Sequence, residues 1–262
     1  MRFSQGIAIL MTAITGSMSL EESAFNHAAK WTPTYVLQSD DVIVGFGNNS
    51  YVAKVDKYLG MLKAEGVTIG TPELDPSWGS SKRYAIPSRD ETGSNIDKRC
   101  DETEYIITDK TETFIDWDVQ MSPVLCAAAG DMDITVTDGY SVSNAVTVST
   151  GIDQTLIEDV LKVSFRIDYT ETWTTTASTL TKGTVKDGNC GVMITKPITT
   201  RRSGRFFRGC IGSATEVGTW YADSHENGSY NGVDWVQGAI SMCAKTQDNP
   251  PLTRCNGQGN FV

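Results

Sequence analysis

Two stretches of the chain alternate apolar and polar residues, and this pattern constrains the fold more than any other feature. Between positions 132 and 149 the apolar residues fall on even positions, which are Met132, Ile134, Val136, Tyr140, Val142, Val146 and Val148. Between 161 and 177 they fall on odd positions, as Leu161, Val163, Phe165, Ile167, Tyr169 and Trp173. A period of two is typical of a strand with one buried and one exposed face. We therefore predict two long amphipathic strands over these stretches.

The remaining sequence predicts further strands and one helix. Short apolar runs separated by Gly, Asn and Pro are typical of antiparallel strands joined by tight turns. Ser50 is placed to cap a helix with the apolar stripe Val52, Val55, Leu59 and Leu62. The predicted fold is mainly β: an antiparallel sheet or sandwich with two long amphipathic strands, one N-terminal helix and disulfide bonds.

The same patterns divide the chain into three predicted segments. Residues 1–19 have the basic start, apolar stretch and small residues of a signal peptide. Residues 20–102 form a small α/β N-terminal part that ends in a Pro-, Gly- and Ser-rich loop, and residues 103–262 form an antiparallel β domain. A signal peptide predicts a secreted, extracellular protein.

Six cysteines follow the predicted signal peptide, and they are Cys100, Cys126, Cys190, Cys210, Cys243 and Cys255. An even number in a secreted chain predicts three disulfides, with 15 pairings open to the sequence alone. We expect nearest neighbours to pair: Cys100 with Cys126, Cys190 with Cys210, and Cys243 with Cys255. The sequons at Asn48 and Asn227 predict a glycoprotein.

The net charge of the chain argues against polyanionic partners. Its formal net charge is −10, so nucleic acid and anionic lipid repel it. One basic cluster runs against this balance, and its members are Lys196, Arg201, Arg202, Arg205 and Arg208. The cluster has two interpretations, an edge strand protected by positive charge or a local site for anions.

No motif in the sequence predicts catalysis, a metal or a cofactor. Gly45-Phe46-Gly47 lacks the third glycine of a dinucleotide fingerprint. The two histidines, His27 and His225, lie in no triad or zinc motif. Asp116-Trp117-Asp118 resembles a sugar site, but in a strand both carboxylates share one face and Trp117 enters the core. Asp131, Asp133 and Asp138 lack the spacing of a calcium loop.

Aromatic residues offer an alternative to catalysis. A stretch rich in Gly, Asn and Ser carries Trp220, Tyr221, Tyr230 and Trp235. This composition is typical of adaptable recognition surfaces. Together with Arg201, Arg202 and Arg205, these residues are candidates for binding a glycan or a protein.

Two resemblances accompany these observations. The Ser/Thr-rich alternation over 132–177 resembles the amphipathic strands of aerolysin-type pore-forming proteins, which implies membrane insertion as an oligomer. Cys190-Gly191, the run Thr199 to Gly204 and Gly209-Cys210 resemble secreted filamentous-fungal effector-like proteins of unassigned activity. That resemblance implies a role against a host or competitor.

The sequence favours a secreted, non-catalytic effector or toxin-like protein with a virulence role, which binds a protein, glycan or membrane surface of another cell. Two alternatives stay open. The chain is an aerolysin-like pore-forming protein, or it binds or hydrolyses glycans.

Overall fold

A computed structural model describes residues 28–46, 49–74, 103–176, 181–210, 214–230 and 233–262. In this part of the chain the fold is mainly β, with eighteen strands and two helices. The predicted signal peptide, Asn48, His27 and Cys100 lie outside the described residues, as does most of the loop that ends at 102.

The described chain before residue 144 contributes ten strands and one helix. The N-terminal elements are β1 (Ala29–Lys30), β2 (Val36–Leu37), β3 (Asp41–Phe46), β4 (Asn49–Lys54), α1 (Val55–Ala64) and β5 (Thr68–Ile69). The next are β6 (Thr103–Ile115), β7 (Val119–Gln120), β8 (Leu125–Cys126), β9 (Met132–Thr135) and β10 (Ser141–Ser143).

The described chain after residue 144 contributes the longest strand. Its elements begin with β11 (Ala145–Val148), α2 (Gln154–Phe165), β12 (Thr172–Thr174) and β13 (Lys182–Val185). They continue with β14 (Asn189–Gly209), β15 (Thr215–Ser224), β16 (Asn227–Tyr230), β17 (Val233–Val236) and β18 (Gly238–Thr246).

Strand β14 is the centre of the main sheet. On one side it pairs in succession with β6, β7 and β8, all antiparallel. On its other side β18 pairs with residues 189–197 and β15 pairs with residues 200–208. The interpretation of the basic cluster as an edge strand is therefore wrong, because every member lies on a strand that has partners on both sides.

The two long amphipathic strands predicted from the alternation do not form. The first stretch divides into β9, β10 and β11, while the second begins within the last turns of α2, to Phe165, and later forms only the short strand β12. Asp153 accepts a hydrogen bond from the Thr155 amide at 2.9 Å, which caps α2. Ile157, Leu161 and Phe165 then follow at helical spacing, and they pack in one core cluster with Phe206 and Trp220.

The segment on which the aerolysin-type resemblance rests is thus four short strands and a helix. The sheets are also not purely antiparallel, because β13 pairs in parallel with β2 and β5 pairs in parallel with β6.

The N-terminal strands join the main sheet instead of standing apart from it. Strand β3 pairs with β18, and β4 pairs with β3. Ser50 lies buried in β4 and caps no helix; α1 begins at Val55, directly after that strand. Tyr58 and Leu62 pack α1 onto a core cluster that includes Ile115 and Ile198.

Two disulfides are seen between described cysteines, Cys126–Cys190 and Cys243–Cys255. The second is the predicted pair. The first contradicts the pairings predicted for Cys126 and Cys190, because β8 and β14 place these two residues directly opposite each other. Cys210 is also disulfide-bonded. Nearest-neighbour reasoning fails here because strand pairing, not sequence distance, brings the sulfurs together.

Of the two described helices, neither is long and apolar enough to cross a membrane.

Candidate functional site

Three of the four aromatic residues predicted for binding belong to the core. Trp220, Tyr230 and Trp235 are all buried. The Tyr230 hydroxyl donates to the carbonyl oxygen of Gly238 at 3.0 Å, and Trp235 Nε1 lies 3.3 Å from Thr195 Oγ1. The exposed aromatic surface predicted for these three residues is therefore wrong. Only Tyr221 keeps part of its ring exposed.

Among the arginines of the basic cluster, Arg201 forms the most enclosed ion pair. Its Nε and Nη2 donate to the two carboxylate oxygens of Asp223, each at 2.6 Å. The guanidinium carbon lies 5.1 Å from the ring centroids of both Phe114 and Tyr221. The hydrogen bonds to Asp223 raise the pKa of Arg201. The positive charge of Arg201 is thus already paired with Asp223 within the fold.

Other arginines of the cluster have partners as well. Arg205 makes two hydrogen bonds of 2.8 Å to Asp109, and Arg208 Nε donates to Glu104 at 2.8 Å. The Arg202 guanidinium lies 4.5 Å from the ring centroid of Phe165. Carboxylates next to Arg201, Arg205 and Arg208 offset their charges, which disfavours the anion-site interpretation of the cluster.

The outer end of the β6–β14–β15 ribbon carries a partly exposed aromatic patch. We call Tyr105, Ile107, Arg205 and Phe207 the aromatic face. The Tyr105 and Phe207 rings stack with centroids 5.4 Å apart and planes 10° apart, and the Arg205 guanidinium carbon lies 5.4 Å from the Phe207 centroid. Ile107 is 36% exposed.

The described helices leave this face uncovered. Side chains alternate along a strand, so Phe206 points away from the aromatic face. α2 packs on the Phe206 side, in the cluster with Trp220 and Leu161. α1 packs near Ile115, at the other end of β6. No local sequence pattern predicts this face, because Tyr105 and Phe207 lie about a hundred residues apart.

His225 lies in a polar network between a hydroxyl group and a side-chain amide, an arrangement that resembles a catalytic relay. Its Nε2 lies 3.1 Å from Thr199 Oγ1, and its Nδ1 lies 3.2 Å from Asn144 Oδ1. Burial lowers the pKa of His225, with Asp223 and Asp116 opposing that effect. Thr199 is only 2% exposed and lies on central strand β14. The network is therefore a structural link between β14 and the segments that contain Asn144 and His225.

The geometry of Asp116-Trp117-Asp118 is the reverse of the predicted one. These residues lie between β6 and β7, so no strand alternation applies. Trp117 is 39% exposed, and Asp118 is fully buried. Asp118 accepts hydrogen bonds from Asn256 N at 2.7 Å and Asn256 Nδ2 at 2.8 Å. A carboxylate bound in this way is not free to attack or protonate a sugar.

A small cleft lies beside these residues. It is lined by Leu59, Ile69, Gly70, Ile115, Asp116, Trp117, Lys196 and Asn256, and it has room for about one water molecule. Lys196 Nζ lies 3.9 Å from Asp118 Oδ1, and the lysine side chain is 7% exposed. Burial lowers the pKa of Lys196.

The described acidic residues do not assemble a metal site. Asp118 lies close to Cys243 and Cys255, but these sulfurs are joined in a disulfide and offer no thiolate. Asp131 pairs with Lys186 at 2.7 Å, and Asp133 accepts a hydrogen bond from Thr184 at 2.9 Å.

The second predicted glycosylation site lies at the surface. Asn227 is exposed at the start of β16, and its Oδ1 accepts a hydrogen bond from Trp173 Nε1 at 2.6 Å. Glycosylation at Asn227 stays a prediction.

Comparison of the chain with protein-family models, with curated proteins and with solved structures found no match.

Proposed function

We propose that this chain is a secreted, non-catalytic binding protein, effector- or toxin-like, that recognises a protein on the surface of another cell. The stacked pair of Tyr105 and Phe207, partly exposed beneath Arg205, is the observation that carries the proposal. Aromatic and arginine side chains contribute most of the binding energy in many protein interfaces.

The charges around the aromatic face favour a protein partner over a polyanion. Arg205 is paired with Asp109 at 2.8 Å and lies 3.7 Å from Glu216. Its positive charge is therefore offset locally, while its planar guanidinium remains able to stack. A surface that combines exposed Ile107, two aromatic rings and neutralised charge resembles the centre of a protein interface.

The disulfides support a location outside the cytosol. Cys126–Cys190 and Cys243–Cys255 require an oxidising compartment to form and persist. This agrees with the signal peptide expected over residues 1–19 and with the sequons at Asn48 and Asn227.

The test is to produce the full chain through a secretory pathway and label the oxidised product with a fluorophore. We expect recovery from the medium and saturable binding to intact cells of a susceptible host or competitor, removed by protease treatment of those cells. A parallel panel of glycans and esters should show no turnover. Hydrolysis that a single Asp or His substitution abolishes, or the absence of saturable binding to any cell type, would overturn the proposal.

A further inference from the structure

Three side chains from separate parts of the chain meet at one point, and they are Lys196, Asp118 and Asn256. Lys196 lies on β14, opposite Ala239 of β18. Asp118 lies between β6 and β7, and Asn256 follows Cys255 in the C-terminal segment. Asp118 is fully buried, and only 7% of the Lys196 side chain is exposed. Lysines usually keep the ammonium group in water, so a lysine buried this far is unusual.

One carboxylate oxygen lies next to both the lysine amine and the asparagine amide. Asp118 Oδ1 lies 3.9 Å from Lys196 Nζ, and the same oxygen accepts a hydrogen bond from Asn256 Nδ2 at 2.8 Å. Lys196 and Asn256 also line the same small cleft. An amine nucleophile, an amide group and a carboxylate that can carry protons are therefore neighbours in a buried site.

Several contacts hold Asn256 at this carboxylate. Its backbone amide donates to Asp118 Oδ2 at 2.7 Å, and Arg254 donates to the Asp118 backbone carbonyl. The Cys243–Cys255 disulfide comes immediately before Asn256, and its two sulfurs lie within 4.8 Å of an Asp118 carboxylate oxygen. Groups held in place in this way react with a smaller entropic barrier than groups that must first find each other.

We propose that Lys196 and Asn256 form an intramolecular isopeptide bond, with Asp118 carrying the protons. The Lys196 ammonium group gives one proton to the Asp118 carboxylate, and the Nζ lone pair forms a bond to Asn256 Cγ. Nδ2 takes up a second proton, which Nζ loses, and the Cγ–Nδ2 bond breaks. Ammonia leaves with the proton held by Asp118, as an ammonium ion, so the carboxylate is restored. The net reaction converts the lysine ammonium and the asparagine amide into a secondary amide and one free ammonium ion.

The surroundings favour these steps. Burial lowers the pKa of Lys196, which increases the fraction of neutral, nucleophilic amine. The flexible four-carbon stem of the lysine lets Nζ move from Asp118 toward Asn256 Cγ, and the two atoms must approach within about 3–3.5 Å to react. Asp118 already accepts a hydrogen bond from the leaving nitrogen, which is the contact that proton transfer requires.

The bond fastens the C-terminal segment to the central strand. This segment contributes Leu252 and Phe261 to a core cluster with Ile194 of β14. A reducing environment opens the Cys243–Cys255 disulfide that also holds the segment, whereas it leaves an amide intact. The reaction involves no residue of the aromatic face, so its test does not depend on the proposed binding function.

Peptide mapping of the full-length protein, secreted in its oxidised form, tests the proposal. After reduction and alkylation of the cysteines, trypsin should release residues 187–201 and 255–262 as one linked peptide. Its mass should be lower by one ammonia molecule than that of the two peptides together, and fragmentation should place the link between Lys196 and Asn256. Two separate peptides would overturn the proposal. Loss of ammonia from residues 255–262 without a link would also overturn it, because Asn256-Gly257 can lose ammonia alone by forming a succinimide.

Two variants test the role of the carboxylate. Asp118→Asn keeps the shape of the side chain but cannot carry the protons, and it should slow formation of the link at least about a hundredfold. Lys245→Arg is the matched control and should link like the wild-type protein, because Lys245 Nζ is occupied elsewhere in the same region, donating to Thr253 Oγ1 and the Arg254 carbonyl at 2.7 and 2.9 Å.

The linked fraction is followed over time after secretion in the wild-type protein and both variants. A folded Asp118→Asn variant that links as fast as the wild-type protein would overturn the role of Asp118. If this variant does not fold, the peptide map of the wild-type protein still decides whether the bond exists.

Discussion

Arg201 and Asp223 face each other across β14 and β15 and share two parallel hydrogen bonds of 2.6 Å. This bidentate geometry is the strongest that an arginine makes with a carboxylate. The guanidinium is buried, and the rings of Phe114 and Tyr221 both lie within 5.1 Å of it. Asp223 thus takes the place of water as the partner of the buried Arg201 charge. The pair lies in the middle of the β6–β14–β15 ribbon, which also carries the aromatic face.

Removal of one partner of this pair should destabilise the fold strongly. Asp223→Ala leaves the buried Arg201 charge uncompensated, and we expect a loss of about 3–5 kcal/mol in the free energy of unfolding. Urea denaturation followed by circular dichroism measures it. Asp109→Ala, at the more exposed pair with Arg205, is the matched control and should lose less than about 1 kcal/mol. Equal losses in the two variants would show that burial does not govern the strength of these pairs.

The two disulfides should differ in their contribution to stability. Cys126 and Cys190 are 64 residues apart, whereas Cys243 and Cys255 are 12 apart. The chain-entropy model gives about 4 kcal/mol for the longer loop and about 3 kcal/mol for the shorter one. Paired Cys→Ser variants, compared by denaturation under oxidising conditions, should show the larger loss for Cys126 and Cys190. The opposite order would indicate that the loops are already constrained in the unfolded chain.

Two glycines should respond in opposite ways to alanine. A Cβ at Gly204 would clash with the Ile107 carbonyl oxygen, whereas a Cβ at Gly60, within α1, would meet no atom within 4 Å. Gly204→Ala forces backbone to move at the bulge in the β6–β14 pair, and we expect a loss of about 3 kcal/mol. Gly60→Ala should gain about 0.5–1 kcal/mol through helix propensity. Thermal unfolding of both variants checks the pair; a tolerated Gly204→Ala would contradict the close approach.

The stability of the fold should decrease as His225 becomes protonated in the unfolded state. Burial holds the pKa of His225 below its ordinary value of 6.5, so the folded chain binds fewer protons than the unfolded chain just below that pH. The stability associated with the neutral ring is complete above about pH 6.5 and decreases as the pH falls toward the folded pKa.

Unfolding free energies measured from about pH 7.5 to about pH 5.5 should therefore decrease in the wild-type protein. His225→Gln, which keeps a polar side chain without this titration, should show a shallower dependence over the same range. An identical slope in the variant would assign the pH dependence to other groups.

The mainly β character and the Cys243–Cys255 disulfide could be predicted from the sequence, but the longest strand could not. Strand β14 contains Pro197 and Gly204, which ordinarily argue against a central strand. The structure accommodates Pro197 where β18 ends its pairing and before β15 begins. No local sequence pattern indicates that β14 changes its pairing partner from β18 to β15.

The alternation near Phe165 gave a wrong prediction of a strand for a different reason. Leu161 and Phe165 satisfy a period of two and also the four-residue spacing of a helix. The Asp153 cap and the apolar residue Ile157 decide in favour of the helix. Short apolar runs leave this ambiguity open, and only the surrounding core resolves it.

The candidate sites were beyond sequence reasoning because they depend on distant pairs. Lys196 stood out only as part of a basic cluster, while its environment is made by Asp118 and Asn256. Tyr105 and Phe207 meet only because β6 pairs with β14 in one particular register. Amino-acid composition predicts neither the proximity of Lys196 to Asp118 nor the stacking of Tyr105 on Phe207.

Flow cytometry of fluorescently labelled protein on a target cell type is the most direct measurement of the role of the aromatic face. Phe207→Ala removes half of the stacked pair, and Val163→Ala truncates an apolar side chain on α2 that is 75% exposed. We predict that Phe207→Ala weakens apparent affinity at least about tenfold, as expected for a central interface residue, and that Val163→Ala binds like the wild-type protein. Wild-type affinity in a folded Phe207→Ala variant would contradict binding through this face.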